Sequence, residues 1–405
     1  MVAILKQIEH RRISLATACG IHAIQDGLYA TVYVLLPVLA PVFGLSYVQV
    51  GVLRAAFSSA MTLLQIPSGV LAERFGERTL LVFGLACSGF AYLFLAGSLG
   101  VVAIAFSLFL AGLGAAFQHA PSSSLITGLF QDGRRRAALG TYNAAGDAGK
   151  LGFAAAFTLA IGVGFTWNYT VAGFGALALV SAVAVFLIFR RLGVGDRPVN
   201  DTDEGYPSEK IGWGIRDRSG FAGLTVIVFL DLAVQSGFLT FLAFLMAEKQ
   251  VPISLAVFAV VLTLAGGIFG KLGCGFLVDR IGGRKSLIVV QCLTALGIVA
   301  VLLSPNLIAF LVLPLLGVVL QGSSTVTYGS VSDLVHRDRQ SRGFALIYSV
   351  SSAAGITGPI VFGTIGDQFG LAPAMLAMAC AVLLTLPLSV LLRTKPEGIA
   401  IKDDL

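Results

Sequence analysis

The sequence predicts an all-α membrane protein of twelve transmembrane helices arranged in two six-helix bundles. Three observations support this fold class. The 405 residues are 57% hydrophobic and only 12% charged, about half the charged share of soluble domains. Their apolar runs reach about 20 residues, the length that a helix needs to cross a bilayer. The phrase GVLAERFGERTLL at 69–81 returns as GFLVDRIGGRKSL at 275–287, which indicates internal duplication.

Apolar segments account for the elements in chain order. Lipid offers no partners to backbone polar groups, so only helices and closed barrels span a membrane. Segments this long exclude the ~10-residue alternating strands of a barrel. The predicted helices are 14–40, 46–67, 79–98, 101–127, 137–160, 167–189, 220–246, 253–275, 285–304, 306–333, 341–365 and 370–392.

One long polar stretch divides the chain. We expect an N-terminal six-helix bundle at 1–191, a flexible cytoplasmic linker at 192–218 and a C-terminal six-helix bundle at 219–405. The stretch is rich in acidic residues, proline and glycine, as linkers are.

Two further matches extend the repeat. HAIQDG at 22–27 resembles LAVQSG at 232–237, and RAALGTY at 136–142 resembles RGFALIY at 342–348. These matches place Asp26 opposite Ser236, Asp147 opposite Ala353 and Lys150 opposite Ile356. We expect the substrate to bind where the two copies differ.

Basic residues set the expected orientation. Most of the 27 Lys and Arg residues fall in alternate loops, which the positive-inside rule places in the cytoplasm together with both termini. The net charge of +6 is therefore a topology signal and excludes the nucleic-acid partner that a basic chain otherwise indicates. We expect a monomer in the lipid bilayer of a bacterial cytoplasmic (inner) membrane.

Charge inside a bilayer costs on the order of 2.5–3.5 kcal/mol at a helix centre, so buried polar residues are the site candidates. His22 and Asp26 lie one turn apart, with Gln25 beside them, and can share a proton. The alternative is a structural polar cluster. Arg54 is either an anion contact, a partner for Asp26, or a side chain that snorkels to the interface.

The other candidates carry similar alternatives. Asp147 and Lys150 form either a structural ion pair or a substrate contact. Lys271, near the end of its helix, is expected to snorkel or to close a gate. Polar groups in the fourth, seventh and tenth helices suit either solute binding or helix packing. The candidates for substrate or proton coupling are His22, Gln25, Asp26, Arg54, Gln118, His119, Asp147, Lys150, Asp231, Gln235, Gln321 and Tyr328.

The repeated charged turns are predicted to form a conformational switch rather than a substrate site. Their acids and arginines can bridge neighbouring helix ends, and their glycines allow close backbone approach. The alternative role is topology anchoring. The gating residues are Gly69, Glu73, Arg74, Gly76 and Arg78 in the first copy and Gly275, Asp279, Arg280, Gly282 and Arg284 in the second.

These turns resemble the signature of the major facilitator superfamily, acid–Arg–x–Gly–x–Arg. A weaker resemblance links the chain to the fosmidomycin-resistance-like exporters through FQHAPSSS at 117–124 and the spacing of Gly146, Gly149 and Gly152. The fifth helix lacks the proline that exporters often carry after the last glycine. The resemblance implies two bundles around a central cavity and rocker-switch alternating access.

The expected function is secondary active transport of a small organic solute, coupled to protons, with efflux of a drug or metabolite favoured. One alternative is a proton-coupled importer of an organic nutrient or vitamin-like compound. Another is a non-transporting membrane receptor or assembly partner. The sequence has no phosphate loop, nucleophile constellation or metal-ligand spacing, so we expect no enzyme activity, no cofactor and no metal.

Overall fold

The computed structural model describes residues 2–130, 135–196, 215–335 and 340–392. These residues are almost entirely helical. The helices are α1 (Val2–Phe43), α2 (Tyr47–Phe75), α3 (Glu77–Ala96), α4 (Val101–Ala116), α5 (His119–Leu129), α6 (Arg135–Gly162), α7 (Trp167–Leu192), α8 (Arg218–Glu248), α9 (Ile253–Ile281), α10 (Gly283–Leu303), α11 (Asn306–Leu334), α12 (Gln340–Phe369), α13 (Leu371–Leu383) and α14 (Thr385–Leu388), followed by a 3₁₀ turn at Ser389–Leu391.

Within these described ranges, 11 helical segments are long and apolar enough to cross a membrane. α4 and α5 together form one of them, and α13 with the short elements after it forms another. The twelfth segment is α6, which has 28 residues but carries Asp147 and Lys150 in its middle. The all-α fold with two six-helix bundles is therefore confirmed, whereas most of the predicted linker and the tail after residue 392 lie outside the described residues.

Prolines break two of the predicted spans. α4 ends and α5 begins at Phe117–Gln118, where the backbone N–H groups bond three residues back instead of four. Pro121 explains the break, because it offers no N–H to the Phe117 carbonyl and its ring crowds that oxygen. Pro387 stands in the same relation to Leu383, the last residue of α13.

The repeated charged phrase folds into the same turn in both copies. Gly76 has φ 81° and ψ 147°, and Gly282 has φ 82° and ψ 157°. Each ends one helix and begins the next, and each donates its N–H to a carbonyl four residues back, on Ala72 and Val278. Glycine is required at both positions because other residues are strained at positive φ.

The helices pack mainly within the two bundles. α1 packs on α6, α3 on α7 and α2 on α4 in the first bundle, while α9 packs on α11, α8 on α12 and α10 on α11 in the second. The main contacts between bundles join α2 to α12 and α6 to α9. We call the end that holds the turns at Gly76 and Gly282 the motif end, and the opposite end, which holds the turn at Gly44, the distal end.

Two glycines set the register of the repeat. A Cβ on Gly149 of α6 would overlap the Ala23 backbone of α1, and one on Gly358 of α12 would overlap the Ala233 backbone of α8. This packing pairs Gly149 with Gly358. Lys150 therefore corresponds to Pro359, about one helical turn away from the Ile356 that the sequence match gave it.

The bundles are joined at the distal end by a polar contact, which we call the distal latch and which consists of Tyr47, Glu248 and Asp367. The Asp367 carboxylate of α12 accepts the N–H groups of Tyr47 and Val48 at 2.7 and 2.9 Å, and the Tyr47 hydroxyl donates to Glu248 at 2.8 Å. An acid from one bundle thus caps the first turn of α2 in the other, a favourable position for negative charge.

Candidate functional site

A cavity of about 1000 Å³ lies between the two bundles. Its lining reaches Gln65, Leu139 and Phe344, which lie in the motif-end halves of α2, α6 and α12. The distal latch lies at the other end. Among the candidates from the sequence, those that line the cavity are His22, Gln25, Asp26, His119, Asp147, Lys150, Gln235, Tyr328 and the lysine Lys271.

Asp26 is the centre of a charged cluster on the wall of the first bundle. The Lys150 ammonium lies 3.1 Å from Oδ2, His22 Nε2 lies 3.2 Å from the same oxygen, and His119 Nε2 lies 3.9 Å from Oδ1. Asp26 is only 8% exposed. Three groups that can carry positive charge therefore surround one buried carboxylate.

His22 is held so that both ring nitrogens face oxygen atoms. Nδ1 lies 2.8 Å from the Tyr142 carbonyl, and Nε2 faces Asp26. The imidazole also stacks on the Tyr142 ring, with centroids 4.0 Å apart. A neutral imidazole can donate to one of these two oxygens, and a second proton would let it donate to both. Gly146 makes room for it, because a Cβ there would collide with the imidazole.

A second set of ion pairs continues from Lys150 into the other bundle. The ammonium of Lys150 lies 3.3 Å from Asp147, and Lys271 of α9 donates to both Asp147 oxygens at 2.7 and 2.6 Å. Asp26, Lys150, Asp147 and Lys271 thus form a continuous series, which we call the ion-pair chain. Lys271 reaches across the cavity instead of towards the helix end, where the sequence suggested snorkelling.

Neutral polar groups hold the first bundle around this cluster. Gln25 accepts a hydrogen bond from Ser88 at 2.8 Å, and Gln118 donates to the Tyr142 hydroxyl at 2.6 Å. Tyr142 was missed by sequence reasoning, although it ends the repeated phrase RAALGTY. Its carbonyl, ring and hydroxyl all act on the site, and only the fold brings them to His22.

Arg54 lies apart from the ion-pair chain. Its guanidinium is 0% exposed and lies between two tyrosine rings, 4.1 Å from the Tyr29 centroid and 4.3 Å from that of Tyr33. It donates to the Tyr33 hydroxyl at 2.8 Å, while Nε and Nη1 have no hydrogen-bond partner. Protein surrounds the guanidinium completely, whereas a snorkelling side chain keeps its charged group in water.

The candidates in the second bundle are mostly satisfied within it. Asp231 lies outside the cavity lining and accepts hydrogen bonds from Gln291 at 2.9 Å and Ser323 at 2.7 Å. Gln235 and Gln321 donate to backbone carbonyls. The Tyr328 hydroxyl pairs with Ser351. Among the described residues that line this wall of the cavity, Lys271 is the charged one.

The gating residues make contacts within their own bundles. Arg78 forms an ion pair with Asp196 at the end of α7, and its N–H donates to Gly195 at 2.9 Å. In the second copy, the Arg280 guanidinium covers the Phe276 ring at 4.6 Å. The side chain of Glu73 lies outside the described residues. No described contact joins the two bundles at the other gating residues, which are Gly69, Arg74, Gly275, Asp279 and Arg284.

His22, Asp26 and His119 also present ligand atoms within 4.8 Å of one another. This spacing suits a divalent metal, because two imidazoles and a carboxylate are a common donor set. The Lys150 ammonium already supplies a cation to the same carboxylate. The donor set therefore fits an ion-pair cluster at least as well as it fits a metal.

A family model for the Major Facilitator Superfamily matches residues 18–267 and 224–403. The chain belongs to this superfamily. It is therefore a multi-pass membrane transporter rather than an enzyme, as the charged turns predicted.

Relatives in the superfamily are distant. An uncharacterized MFS-type transporter of Bacillus subtilis (strain 168), YfnC, is 27% identical over 88% of this chain and 87% of its own. The fosmidomycin resistance protein of Escherichia coli (strain K12) is 29% identical over 32% of this chain and 31% of its own. A bacterial homolog of the human lysosomal transporter Spinster shares the fold, with a TM-score of 0.81 and 17% identity over 95% of this chain and 97% of its own.

Proposed function

We propose that the chain is a proton-coupled transporter of a small organic solute and that the ion-pair chain with His22 is its coupling site. The observation that carries the proposal is the contact of Lys271, from the second bundle, with Asp147, which shares Lys150 with Asp26. A charge change at Asp26 or His22 is thereby linked to a contact between the bundles.

The coupling step follows from competition for Lys150. A proton that lands on His22 gives Asp26 a second strong cation and repels the nearby ammonium. Lys150, already 3.3 Å from Asp147, then turns towards that carboxylate. Asp147 must share its charge between two ammoniums, so the contact with Lys271, which joins the bundles in the described conformation, weakens and that conformation becomes less stable. Proton occupancy thus shifts the alternating-access equilibrium.

The direction we propose is efflux. The positive-inside rule places the motif end, with its basic turns, in the cytoplasm. The cavity then opens towards the cytoplasm in the described conformation, which is the side from which an exported solute would enter. The similarity to the fosmidomycin resistance protein over part of the chain supports the same direction. The proposed location is the cytoplasmic membrane of a bacterium, with both termini inside.

A deletion strain tests the direction. Hypersensitivity to a toxic compound, restored by the wild-type gene, supports efflux. Failure to grow on one organic nutrient, with unchanged tolerance to toxic compounds, instead supports the importer and contradicts our proposal.

Proteoliposomes test the coupling with the solute that this phenotype identifies. We expect an imposed pH gradient to drive its flux at least tenfold above the rate without a gradient. We expect His22→Gln to abolish this stimulation while solute exchange without a gradient continues. A flux that is the same with and without the pH gradient, and that is unchanged in Asp26→Asn, overturns the proposal.

A further inference from the structure

The surplus positive charge beside the cavity points to the class of solute. Three cations, Arg54, Lys150 and Lys271, lie beside the cavity. The described carboxylates available to them are those of Asp26 and Asp147, because Asp231 bonds to Gln291 and Ser323 within the second bundle. The ion-pair chain joins the two lysines to the two carboxylates. Of these three cations, Arg54 is therefore the one that has no acidic partner among the described contacts.

Its surroundings satisfy Arg54 only in part. The Tyr33 hydroxyl accepts one hydrogen bond, and the faces of Tyr29 and Tyr33 stabilise the charge through cation–π contacts. Two of its nitrogens, Nε and Nη1, lack any acceptor. Such orphaned donors on a fully buried charge are costly, so they call for a partner such as a bound water or ligand.

A hydrogen-bonded tyrosine pair separates Arg54 from the cavity. The hydroxyls of Tyr29 and Tyr33 lie 3.3 Å apart, and both residues line the cavity. Rotation of these two side chains would therefore give a solute in the cavity access to the guanidinium. An oxyanion that enters from the cavity would then replace the Tyr33 hydroxyl as acceptor, while Met61, which also lines the cavity, would contact the organic part.

We propose that the transported solute is an organic anion and that Arg54, covered by the tyrosine pair in the described conformation, binds its oxyanion group. This inference rests on the proposed function, which it deepens by naming the substrate class. The lysines of the ion-pair chain are free for coupling because the solute's charge has its own partner.

Thermal-shift titrations of the purified full-length protein in detergent test this proposal. Two probe pairs differ in charge but little in shape: benzoate with benzamide, and D-gluconate with the open-chain polyol D-sorbitol. We expect the anion of at least one pair to bind at least tenfold more tightly than its neutral partner. Arg54→Gln should remove this preference, a loss of about tenfold to a hundredfold for a hydrogen bond to a charged group, while Arg54→Lys retains part of it.

Tyr33→Phe provides a second variant, which keeps the aromatic contact and removes only the competing acceptor. We expect it to raise the affinity for the preferred anion severalfold. No preference for either anion in the wild type, or the same preference in Arg54→Gln, overturns the anion site. If Arg54→Gln does not fold, unchanged anion affinity in Tyr33→Phe has the same meaning.

The two proposals fail separately. His22→Gln should retain the anion preference in these titrations while it loses flux driven by a pH gradient. Anion preference without any effect of His22→Gln on that flux contradicts the coupling site alone. Loss of gradient-driven flux in His22→Gln, with anion preference intact in Arg54→Gln, contradicts the anion site alone.

Discussion

Lys271→Gln should shift the protein towards the state that is open at the distal end. The variant removes the ammonium that donates to both Asp147 oxygens at 2.7 and 2.6 Å across the bundle interface. The Lys271 side chain is 40% exposed and that of Asp147 is 14% exposed. The pair therefore lies between exposed pairs, worth about 0–1 kcal/mol, and buried ones, where the loss of one partner costs about 3–5 kcal/mol.

We expect Lys271→Gln to destabilise the described conformation by about 1–2 kcal/mol relative to the state open at the distal end. This change alters the ratio of the two populations about tenfold. Spin labels at the exposed distal positions Leu99 and Leu307, one in each bundle, report the separation of the bundles by pulsed electron resonance. The native cysteines are replaced first. The long-distance population should rise in Lys271→Gln.

Lys249→Gln is the matched control. Lys249 lies in the same bundle and donates only to carbonyls of that bundle, on Val301, Leu302 and Ser304. Its replacement removes a comparable ammonium without touching the ion-pair chain. An unchanged distance distribution in Lys271→Gln, or the same shift in Lys249→Gln, refutes the role of the ion-pair chain in the equilibrium.

Three further variants probe the surrounding structure. Asp231→Asn should lower the free energy of unfolding by about 1–3 kcal/mol. Transport should stay within threefold of the wild type, because the carboxylate lies outside the cavity lining. A complete loss of flux in folded protein contradicts this expectation. Asp367→Asn should weaken the cap on α2 by about 1 kcal/mol and raise the distal-open population severalfold in the same spin-label assay. Gly149→Ala should reduce the monodisperse yield and the melting temperature, because its Cβ would overlap Ala23, whereas Gly152→Ala meets no atom within 4 Å and should behave as the wild type.

The spans could be predicted from the sequence because membrane crossing depends on local composition. The length and hydropathy of each run are sufficient to predict a span. The sequence also predicts the span in α6, although its charges exclude it from the 11 segments that are apolar enough to cross a membrane. Pro121 and Pro387 mark the two breaks, but Pro37, Pro41, Pro67, Pro314 and Pro359 lie inside uninterrupted helices, so proline positions alone do not predict where a span is broken. The register of α6 against α12 could not be read in this way, because it depends on which glycine meets a neighbouring backbone.

The candidate site was predictable where its contacts are local. His22 and Asp26 lie one helical turn apart, and Asp147 and Lys150 are three residues apart, so both pairs could be recognised in the sequence. The contact of Lys271 with Asp147 joins residues on different bundles, and no periodicity reports it. The same reason explains why Asp367 was missed, since its partner is the first turn of a helix far away in the chain.

The corrected register explains how one duplicated scaffold produces two different walls. Lys150 stands where the second copy has Pro359, directly after the glycine that packs each helix on its neighbour. In α12, the Pro359 backbone packs against Gly51 of α2, so this position joins the bundles by close contact. In α6, the same position sends an ammonium to Asp26 and Asp147. In the coupling site that we propose, the charges that respond to the proton therefore lie in the first bundle, and the second bundle contributes Lys271.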